Sequence, residues 1–335
     1  MSLLSIVVRV YDEQACLHAL YARLTVVLAD LDVSWELIFV DDGSSDGSYR
    51  TMLELRQSDE RVKIVKLSRN FGKESAMTAG LFFASGDAVV IMDGDLQHPS
   101  EVIPAFVQQW REGYDIVYGV QQDRGEQGRI KSLTAALFYR IRTRLSDTKM
   151  PAETNDFRLV SRQAVEAYRR FRERNRYVRG MFDWIGFRQF GVPYTPPARA
   201  AGETKFKLPQ LMRLATVGIL SFSTAPLRFV LKLGFVVSLI AVLEGTYAIF
   251  GKASGAYGVP GWASIVTVVS FLGGFQLIVL GVIGQYVGLV YEEVKARPVF
   301  LTEAVHGLEA PPGVVALGDV NEDLLTGIQG IVTGR

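Results

Sequence analysis

The chain has 335 residues, which is enough for one large domain or two modest ones. Its hydrophobic content of 49% and mean hydropathy of +0.18 are high for a wholly soluble protein, and its formal net charge of +1 gives no reason to expect nucleic acid as a partner. The single cysteine, Cys16, excludes an intramolecular disulfide. The apolar N-terminal run is too short for a signal peptide and is interpreted as a strand.

Short apolar runs alternate with helix-like segments through the first 120 residues or so. The predicted strands are 3–10, 35–40, 62–67, 88–92 and 116–120, and the predicted helices are 13–31, 72–84 and 99–110. This alternation predicts an α/β domain with a mostly parallel sheet that helices cover on both faces. Ligands of such sheets bind beyond the carboxyl ends of the strands, so polar residues at those ends are the site candidates.

An acidic pair, Asp93 and Asp95, follows the predicted strand 88–92 and is separated only by Gly94. Two carboxylates in this arrangement can turn toward one hard cation, because the glycine lets the backbone bend. Mg²⁺ or Mn²⁺ held this way keeps open positions for substrate phosphates, and Gln97 offers a further oxygen ligand. His98 is a weaker candidate, since hard cations prefer oxygen. The sequence therefore predicts a divalent metal site here.

A second acidic turn, 41–44 (DDGS), follows the strand 35–40. Asp42 could hydrogen-bond a base or ribose, as acidic residues at strand ends do in dinucleotide-binding folds. The alternative is an Asx-type turn that caps the next helix together with Ser45 and Asp46, and both interpretations can hold. The sequence has no glycine-rich dinucleotide motif and no P-loop, which argues against a Rossmann dehydrogenase or a P-loop ATPase.

The second half of the chain changes character. Residues 233–250 are apolar except for Glu244, and residues 263–291 carry no charge, so each run can cross a hydrocarbon core of roughly 30 Å. Basic residues flank both runs, which predicts a multi-pass protein of the inner (plasma) membrane with a cytoplasmic N-terminal domain. A buried helical hairpin in a soluble core is the alternative. Small-residue pairs on the second run favour helix packing and a homo-oligomer.

These patterns divide the chain into four parts. The amphipathic segment 208–222 is interpreted as an interfacial helix, with an ordinary core helix as the alternative. The predicted division is a cytoplasmic catalytic domain at 1–205, an interfacial region at 206–226, two membrane helices within 227–292 (about 229–250 and 263–291), and a cytoplasmic tail at 293–335.

Six segments occur in a fixed order before the two predicted membrane helices. They are VVRVYDE, DDGS, LSRNFGKE, MDGDLQHP, NDFRL and GETKF. From about residue 3 to residue 301 the chain resembles the family 2 glycosyltransferases. Within them it is similar to the polyprenyl-phosphate glycosyltransferases, including bacterial undecaprenyl-phosphate glucosyltransferases and dolichol-phosphate mannose synthase. The resemblance implies a GT-A-type nucleotide-binding domain followed by interfacial helices and a two-helix transmembrane hairpin.

The resemblance also implies the reaction. A hexose would pass with inversion from a nucleoside diphosphate sugar, UDP-glucose in the first place, to undecaprenyl phosphate, with Mg²⁺ or Mn²⁺ required. The same chemistry with GDP-mannose or UDP-aminoarabinose is the nearest alternative. A different class of protein, a non-catalytic membrane scaffold that binds nucleotide sugars, remains open because the metal pair and Asp156 alone separate it from an enzyme.

The implied roles extend to particular residues, and the sequence departs from the family at two of its positions. Arg9 stands where the family usually has proline, and Asp12 where it usually has asparagine. The implied metal ligands are Asp93, Asp95 and Gln97. The implied nucleotide-binding residues are Tyr11, Glu13, Val40, Asp42 and Gly94. The implied phosphate- or acceptor-binding residues are Arg124, Arg129, Lys131, Arg199 and Lys205.

Asp156, with Arg158 beside it, occupies the implied reaction centre in the NDFR segment. A lipid monophosphate has a second pKa near roughly 6, so it is mostly dianionic at neutral pH and already nucleophilic. A strong general base is therefore hardly needed. Asp156 is expected instead to orient Arg158 or to stabilise positive charge that develops on the sugar ring, as carboxylates do in glycoside chemistry.

Overall fold

A computed structural model describes residues 2–122, 154–174, 176–195, 225–253 and 261–309. The chain divides into two compact units: one contains the N-terminal domain together with the residues from Arg297 onward, and the other is mainly Phe206–Ala296. The predicted interfacial segment 208–222 lies outside the described residues. So do five predicted phosphate- or acceptor-binding residues: Arg124, Arg129, Lys131, Arg199 and Lys205.

The first unit alternates strands and helices as predicted. Its described strands are β1 (Leu3–Val10), β2 (Ser34–Asp41), β3 (Val62–Leu67), β4 (Ala88–Asp93), β5 (Ile116–Gln121), β6 (Thr154–Ser161), β7 (Gln189–Tyr194) and β8 (Thr302–His306). Its described helices are α1 (Gln14–Ala29), α2 (Ser48–Ser58), α3 (Lys73–Phe83), α4 (Ile103–Arg111), α5 (Arg162–Arg169) and α6 (Val178–Ile185). The helix predicted at 99–110 begins with a 3₁₀ turn, Ser100–Val102, before α4.

The described strands form one sheet in the order β7-β5-β6-β4-β1-β2-β3-β8. Parallel pairs join β4, β1, β2 and β3, and another joins β5 to β7. The strand β6 runs antiparallel to both β4 and β5, and β8 runs antiparallel to β3. The sheet is therefore mostly parallel, as predicted, but one reversed strand lies in its middle.

Hydrophobic side chains cover both faces of the sheet. Leu4, Ile6 and Val8 of β1 point into one core, and Val7 of the same strand points into the other. This alternation is the period of two that a strand buried on both faces shows. Because both faces are covered by helices or loops, charged residues in the strands collect at the strand ends, where the sheet meets solvent.

The strand β8 places part of the predicted C-terminal tail in the sheet. Thr302–His306 pairs with β3, and the Tyr49 hydroxyl lies 2.8 Å from Nε2 of His306. The short, mixed sequence after residue 300 predicted no element there. Pairing with an edge strand that lies far away in sequence made this segment a strand, which a local pattern does not reveal.

The second unit contains two long helices, α7 (Ala225–Ala253) and α8 (Trp262–Val294). Among the described residues, one stretch, Phe271–Val294, is long and apolar enough to cross a membrane, with a mean hydropathy of 1.6 and no burial inside the protein. Val230–Ile240 is a shorter apolar stretch. Helix length and composition alone thus support one span and do not confirm the predicted two-helix hairpin.

Candidate active site

The carboxyl ends of three neighbouring parallel strands, β2, β1 and β4, meet at one edge of the sheet. The reversed strand β6 starts at the same edge, because Arg158 pairs with Ile91 in antiparallel register and the chain two residues earlier therefore faces Asp93. Asp156 is thereby brought beside the metal-type acidic loop. The topology thus assembles two sequence-predicted groups that lie far apart along the chain.

The turn after β2 has the Asx-type geometry considered for it, and the binding of a base or ribose by Asp42 stays a prediction. Asp41 Oδ1 accepts a hydrogen bond from the Ser44 amide at 3.0 Å, which is an Asx-type turn. Asp42 Oδ1 accepts from the amides of Phe71 at 2.8 Å and Gly72 at 3.2 Å, whereas its Oδ2 has no hydrogen-bond partner within the described chain. Burial raises the pKa of Asp42. One oxygen thus holds the next loop, and the other is buried and lies 3.9 Å from Arg9 Nε.

The backbone of Asn70 lies so close to Gly43 of this turn that only glycine fits there. Gly43 has φ of +73°, and a Cβ on it would lie 2.5 Å from the amide nitrogen of Asn70. Any other residue would have to displace the loop that Asp42 holds. The DDGS turn therefore sets the position of the segment after β3, which leads into Lys73 and Glu74.

Arg9 lies between the predicted nucleoside residue and the predicted metal residue. Its Nε is 3.9 Å from Asp42 Oδ2, and its Nη1 is 3.9 Å from Asp93 Oδ1. The Nε atom is buried and makes no hydrogen bond to the described residues. Arg9 thus places a positive charge between the predicted nucleoside-binding carboxylate and the predicted metal ligand.

The loop after β1 is held to the loop after β2. Asp12 has φ of +54°, a conformation that aspartate and asparagine tolerate better than most residues. Its Oδ1 accepts from the Ser45 amide at 2.7 Å and the Asp46 amide at 3.2 Å. Tyr11 beside it is 36% exposed and the Glu13 amide donates to Ser48 Oγ. Aspartate at position 12 therefore performs a structural task that the asparagine of relatives could also perform.

The remaining predicted nucleotide-binding residues lie at the same strand ends. Val40 is fully buried in β2. The Gly94 amide donates to the carbonyl of Arg9 at 3.0 Å, and a Cβ on Gly94 would meet that oxygen at 3.0 Å. Gly94 thus keeps the metal loop close against β1. Their role in binding a nucleotide stays a prediction.

The acidic loop after β4 is tightly structured. Asp95 Oδ1 accepts from the Gln97 amide at 3.0 Å, and Leu96 between them has φ of +63°. Such a backbone costs on the order of 1–3 kcal/mol for a residue with a side chain and collects at functional sites. His98 Nδ1 accepts from the Asp93 amide at 3.0 Å, and its ring stacks on Phe157. His98 therefore holds the loop by its Nδ1.

The donor groups at this loop fit a hard divalent cation. Asp93, Asp95 and Gln97 offer carboxylate and amide oxygens, the ligands that Mg²⁺ and Mn²⁺ prefer. The ammonium of Lys73 lies 2.6 Å from Asp93 Oδ2 and 2.7 Å from Asp156 Oδ2, so the arrangement already holds one positive charge between two carboxylates. The described residues contain no cluster of three or more histidine, cysteine or acidic ligands. A metal here would keep positions for substrate oxygens.

Asp156 is buried and paired with two cations. Its carboxylate accepts from Arg179 Nη2 at 2.8 Å and Nε at 2.5 Å, in addition to the contact with Lys73. Burial by itself would raise the pKa of Asp156, but the charges and hydrogen bonds of Arg179 and Lys73 hold that pKa well below its usual range. Asp156 is therefore a carboxylate at any physiological pH and is poorly suited to act as a general base.

Arg158 forms no hydrogen bond or ion pair with Asp156 within the described part of the chain, so Asp156 does not orient it directly. Its side chain is almost fully buried, Nη2 donates to the carbonyl of Asn155 at 2.9 Å, and the guanidinium lies 5.6 Å from the Phe182 ring. The bidentate partner of Asp156 is Arg179 from α6. Asp156 is thus oriented by, and itself orients, an arginine that comes from a different element of the fold.

Three residues of this site were missed by sequence reasoning: Lys73, Glu74 and Arg179. The segment LSRNFGKE was singled out for its resemblance, and it gave a signal for the first two. The sequence gives no signal for Arg179. This residue lies in the arginine-rich run 169–188, whose composition is typical of a solvent-exposed surface. Only packing of α6 against β6 brings Arg179 to Asp156.

Glu74 connects α3 to the helix that carries Arg179. It accepts a hydrogen bond from the Val178 amide at 2.8 Å. Burial, followed by repulsion from Asp156, raises the pKa of Glu74 from 4.5 to about 7. Ionisation of Glu74 around neutral pH is thus unfavourable in the folded protein.

Replacing Glu74 with Gln should stabilise the folded protein in a pH-dependent way. A raised pKa means that ionisation disfavours folding. Glu74 is protonated in both the folded and the unfolded protein below pH 4.5, and it is ionised in both above about pH 7. The cost of its ionisation to the free energy of unfolding therefore grows between those two pH values and is complete above them. At pH 8 we expect Glu74→Gln to melt at least about 3 °C above wild type. Melting curves at several pH values measure this, and a pH-independent difference would contradict it.

Removing the charge of Arg9 should strengthen divalent cation binding. Arg9 attracts the same carboxylates, Asp42 and Asp93, that would attract the cation, so Arg9→Met is expected to lower the Kd for Mn²⁺ about three- to tenfold. Titration calorimetry without nucleotide measures this. Arg23→Met, at an exposed position of α1, is the control and should leave the Kd unchanged. Weaker Mn²⁺ binding by Arg9→Met would show that Arg9 supports the metal loop instead.

Known proteins are similar to this chain over most of its length. A family model described as "Glycosyl transferase family 2" matches residues 5–169. An uncharacterized glycosyltransferase of Synechocystis sp. is 44% identical over 92% of this chain and 97% of its own length. A bactoprenol glucosyl transferase from an SfII prophage of Shigella flexneri is 39% identical over 90% of this chain and 98% of its own. An Escherichia coli prophage bactoprenol glucosyl transferase homologue is 38% identical over 90% and 99%.

A solved structure of glucosyl-3-phosphoglycerate synthase from Mycobacterium tuberculosis, in complex with Mn²⁺, UDP and phosphoglyceric acid, covers 64% of this chain and 75% of its own. It shares 22% identity with a TM-score of 0.43. The near full-length identity to curated glycosyltransferases, together with the matched family model, shows that the chain belongs to glycosyl transferase family 2 and is a glycosyltransferase.

Proposed function

We propose that this enzyme transfers a hexose from a UDP-sugar, in the first place UDP-glucose, to undecaprenyl or another polyprenyl phosphate at the cytoplasmic face of the inner membrane. The relatives named bactoprenol glucosyl transferase support the acceptor class, because the chain covers 98% or 99% of their length at 38–39% identity. They support glucose as the sugar less directly, since sugar choice depends on hydroxyl contacts that no motif fixes.

The observation that carries the proposal is the juxtaposition of Asp93 and Asp156 around Lys73. Asp93, a predicted metal ligand at the end of β4, and the ionised Asp156, near the start of β6, both contact the ammonium of Lys73. A scaffold that only binds nucleotide sugars needs the first group but has no use for the second. The pair is what a transfer reaction needs, because charge appears on both the leaving group and the sugar.

The chain's own residues account for the chemistry of a direct displacement. Mg²⁺ or Mn²⁺, when bound, would neutralise the diphosphate leaving group, and Asp93, Asp95 and Gln97 would hold it. The ionised Asp156, fixed by Arg179, would stabilise positive charge that develops on the sugar ring. The lipid phosphate is already nucleophilic and needs no base. A single displacement would invert the configuration at the sugar carbon that is attacked.

The fold also supports two membrane crossings. Strands β1 to β7 and the strand β8 belong to one compact unit, so they lie on the same side of any membrane. The chain between them must therefore cross an even number of times if it crosses at all. At 1.5 Å per residue, α7 and α8 are about 44 Å and 50 Å long, more than a hydrocarbon core of roughly 30 Å. A hairpin in which α7 and α8 each cross the membrane once is the simplest arrangement that gives an even number of crossings.

The connection between the helices should therefore lie on the far side of the membrane from β8. A cysteine at Gly261 in a Cys16→Ser background should react with a membrane-impermeant maleimide in whole cells, after any outer membrane has been permeabilised. A cysteine at Glu303 of β8 should react only after the inner membrane is opened. Reaction of both positions in closed cells would contradict the hairpin. The homo-oligomer remains a prediction, which crosslinking in lipid would test.

Asp156→Asn should abolish turnover without weakening donor binding. We expect kcat to fall about 10²-fold or more, because the charge that faces the developing cation is lost, while the Kd for UDP-glucose changes less than about threefold. Single-turnover transfer and calorimetry measure the two quantities. Asp32→Asn on the surface is the control, and its melting temperature and that of Asp156→Asn confirm folding. Equal loss of donor affinity would remove Asp156 from the catalytic role.

The function itself is tested by transfer of radiolabelled sugar to undecaprenyl phosphate by the purified, detergent-solubilised protein. The donors are UDP-glucose, UDP-galactose, UDP-N-acetylglucosamine, UDP-aminoarabinose and GDP-mannose, each with Mg²⁺, Mn²⁺ or EDTA. Glycolipid from UDP-glucose that EDTA abolishes supports the proposal, and glycolipid from another donor corrects the sugar. Absence of transfer from every donor, with binding of a nucleotide sugar retained, would favour the scaffold.

A further inference from the structure

The catalytic unit carries a basic and aromatic surface that the reaction does not use. It consists of Arg170, Phe171, Arg172 and Arg174, which follow α5, and Trp184 near the end of α6; we call it the arginine–tryptophan surface. Trp184 is 67% exposed, and Arg170 and Arg172 are exposed as well. The rings of Phe171 and Trp184 contact each other edge to face with centroids 5.4 Å apart, which joins the two segments.

The surface is held rigidly by neighbouring arginines. Arg169 donates to the carbonyls of Leu81, Phe82 and Ala84 at the end of α3, and Arg176 Nη2 donates to the carbonyl of Phe171 at 2.8 Å. These two arginines are used for structure, whereas Arg170 and Arg172 form no ion pair with the described residues. The exposed charges and the indole therefore stand on a fixed platform.

A short stretch of chain follows α8 before the residue that Arg174 contacts. Arg174 Nη1 donates to the carbonyl of Arg297 at 3.4 Å. Arg297 follows the last residue of α8, Val294, by three residues, which at 3.8 Å per residue span at most about 11 Å. The backbone that Arg174 contacts is therefore within about 11 Å of the last residue of α8. Among the described residues, Arg297 is the residue of the catalytic unit that follows α8 most closely in the chain.

Exposed tryptophan beside arginine is the combination that suits a headgroup layer. The indole ring has an apolar body and a polar N–H and collects at membrane–water interfaces. Arginine side chains bind phosphate groups and are attracted to the anionic lipids of a cytoplasmic leaflet. Glu173 is the one acidic residue in the run 170–174, against three arginines. An apolar protein partner would not be expected to select this excess of charge.

We propose that the arginine–tryptophan surface docks the catalytic unit on anionic lipid headgroups and so sets the height of the active site above the bilayer. The proposal rests on the proposed membrane crossing of α8. Trp184 lies in the same helix, α6, as Arg179, which pairs with Asp156, so docking would fix the helix that orients the reaction centre. The acceptor's phosphate, which lies at headgroup depth, would thereby reach the site without leaving the membrane.

Spin labels compare two equally exposed positions of the unit. Trp184 and Val26 are both 67% exposed, so single cysteines at these positions in a Cys16→Ser background form a matched pair. In nanodiscs made of phosphatidylcholine and phosphatidylglycerol, a nitroxide at position 184 should be protected from a water-soluble nickel relaxant and accessible to oxygen. A nitroxide at position 26 should remain accessible to nickel. Equal nickel accessibility at both positions overturns the proposal.

Charge reversal supplies a second, functional measurement in the full-length protein. Arg170→Glu combined with Arg172→Glu should lower transfer to polyprenyl phosphate about five- to tenfold in anionic nanodiscs, with the KM for the sugar donor unchanged and little loss in detergent. Arg23→Glu combined with Arg50→Glu makes the same charge change elsewhere and should have no effect. Equal losses in both double variants, or a loss that persists undiminished in detergent, overturn the proposal.

Extraction separates this proposal from the one it rests on. If alkaline carbonate releases the wild-type protein from membranes, both the crossing of α8 and the docking surface are wrong. If the protein is retained but position 184 is as accessible to nickel as position 26, only the docking surface is wrong, and a partner protein would then be the occupant to seek.

Discussion

The ammonium of Lys73 between Asp93 and Asp156 is the interaction on which the site depends. Two carboxylates at the end of a buried sheet would repel each other strongly, because a low dielectric screens little. Lys73 and Arg179 offset that repulsion and leave both carboxylates ionised. The same two cations hold Asp93 and Asp156 at one edge of the sheet.

This cluster requires the unusual strand order. In a purely parallel sheet β6 would start at the opposite edge, and Asp156 would lie far from the acidic loop. Reversal of β6 between β4 and β5 brings its first residues to the edge where β1, β2 and β4 end. The hydrogen-bonded DDGS turn then positions the segment that carries Lys73. Strand direction and one buried carboxylate, Asp42, thus act together to assemble the donor and reaction halves.

Arginine serves three different purposes in this unit, and composition alone does not distinguish them. Arg9 is a partly buried cation between two carboxylates, Arg179 is a bidentate partner of Asp156, and Arg169 donates to backbone carbonyls. Arg170 and Arg172 are exposed and form no ion pair with the described residues, so they are available to an outside partner. Planar, permanently charged guanidinium groups suit all of these tasks, which explains why a chain with a net charge of +1 contains such an arginine-rich run.

The sequence by itself determined the α/β class, the bounds of most helices and strands before residue 122, and the acidic ends of β2 and β4, because these follow from periodicity and local turn chemistry. It also pointed to Asp156. Tertiary structure alone decided that Arg179, rather than Arg158, pairs with Asp156, and that residues 302–306 form an edge strand. Both depend on contacts between segments far apart in the chain, where register and packing, not local propensity, select the partner.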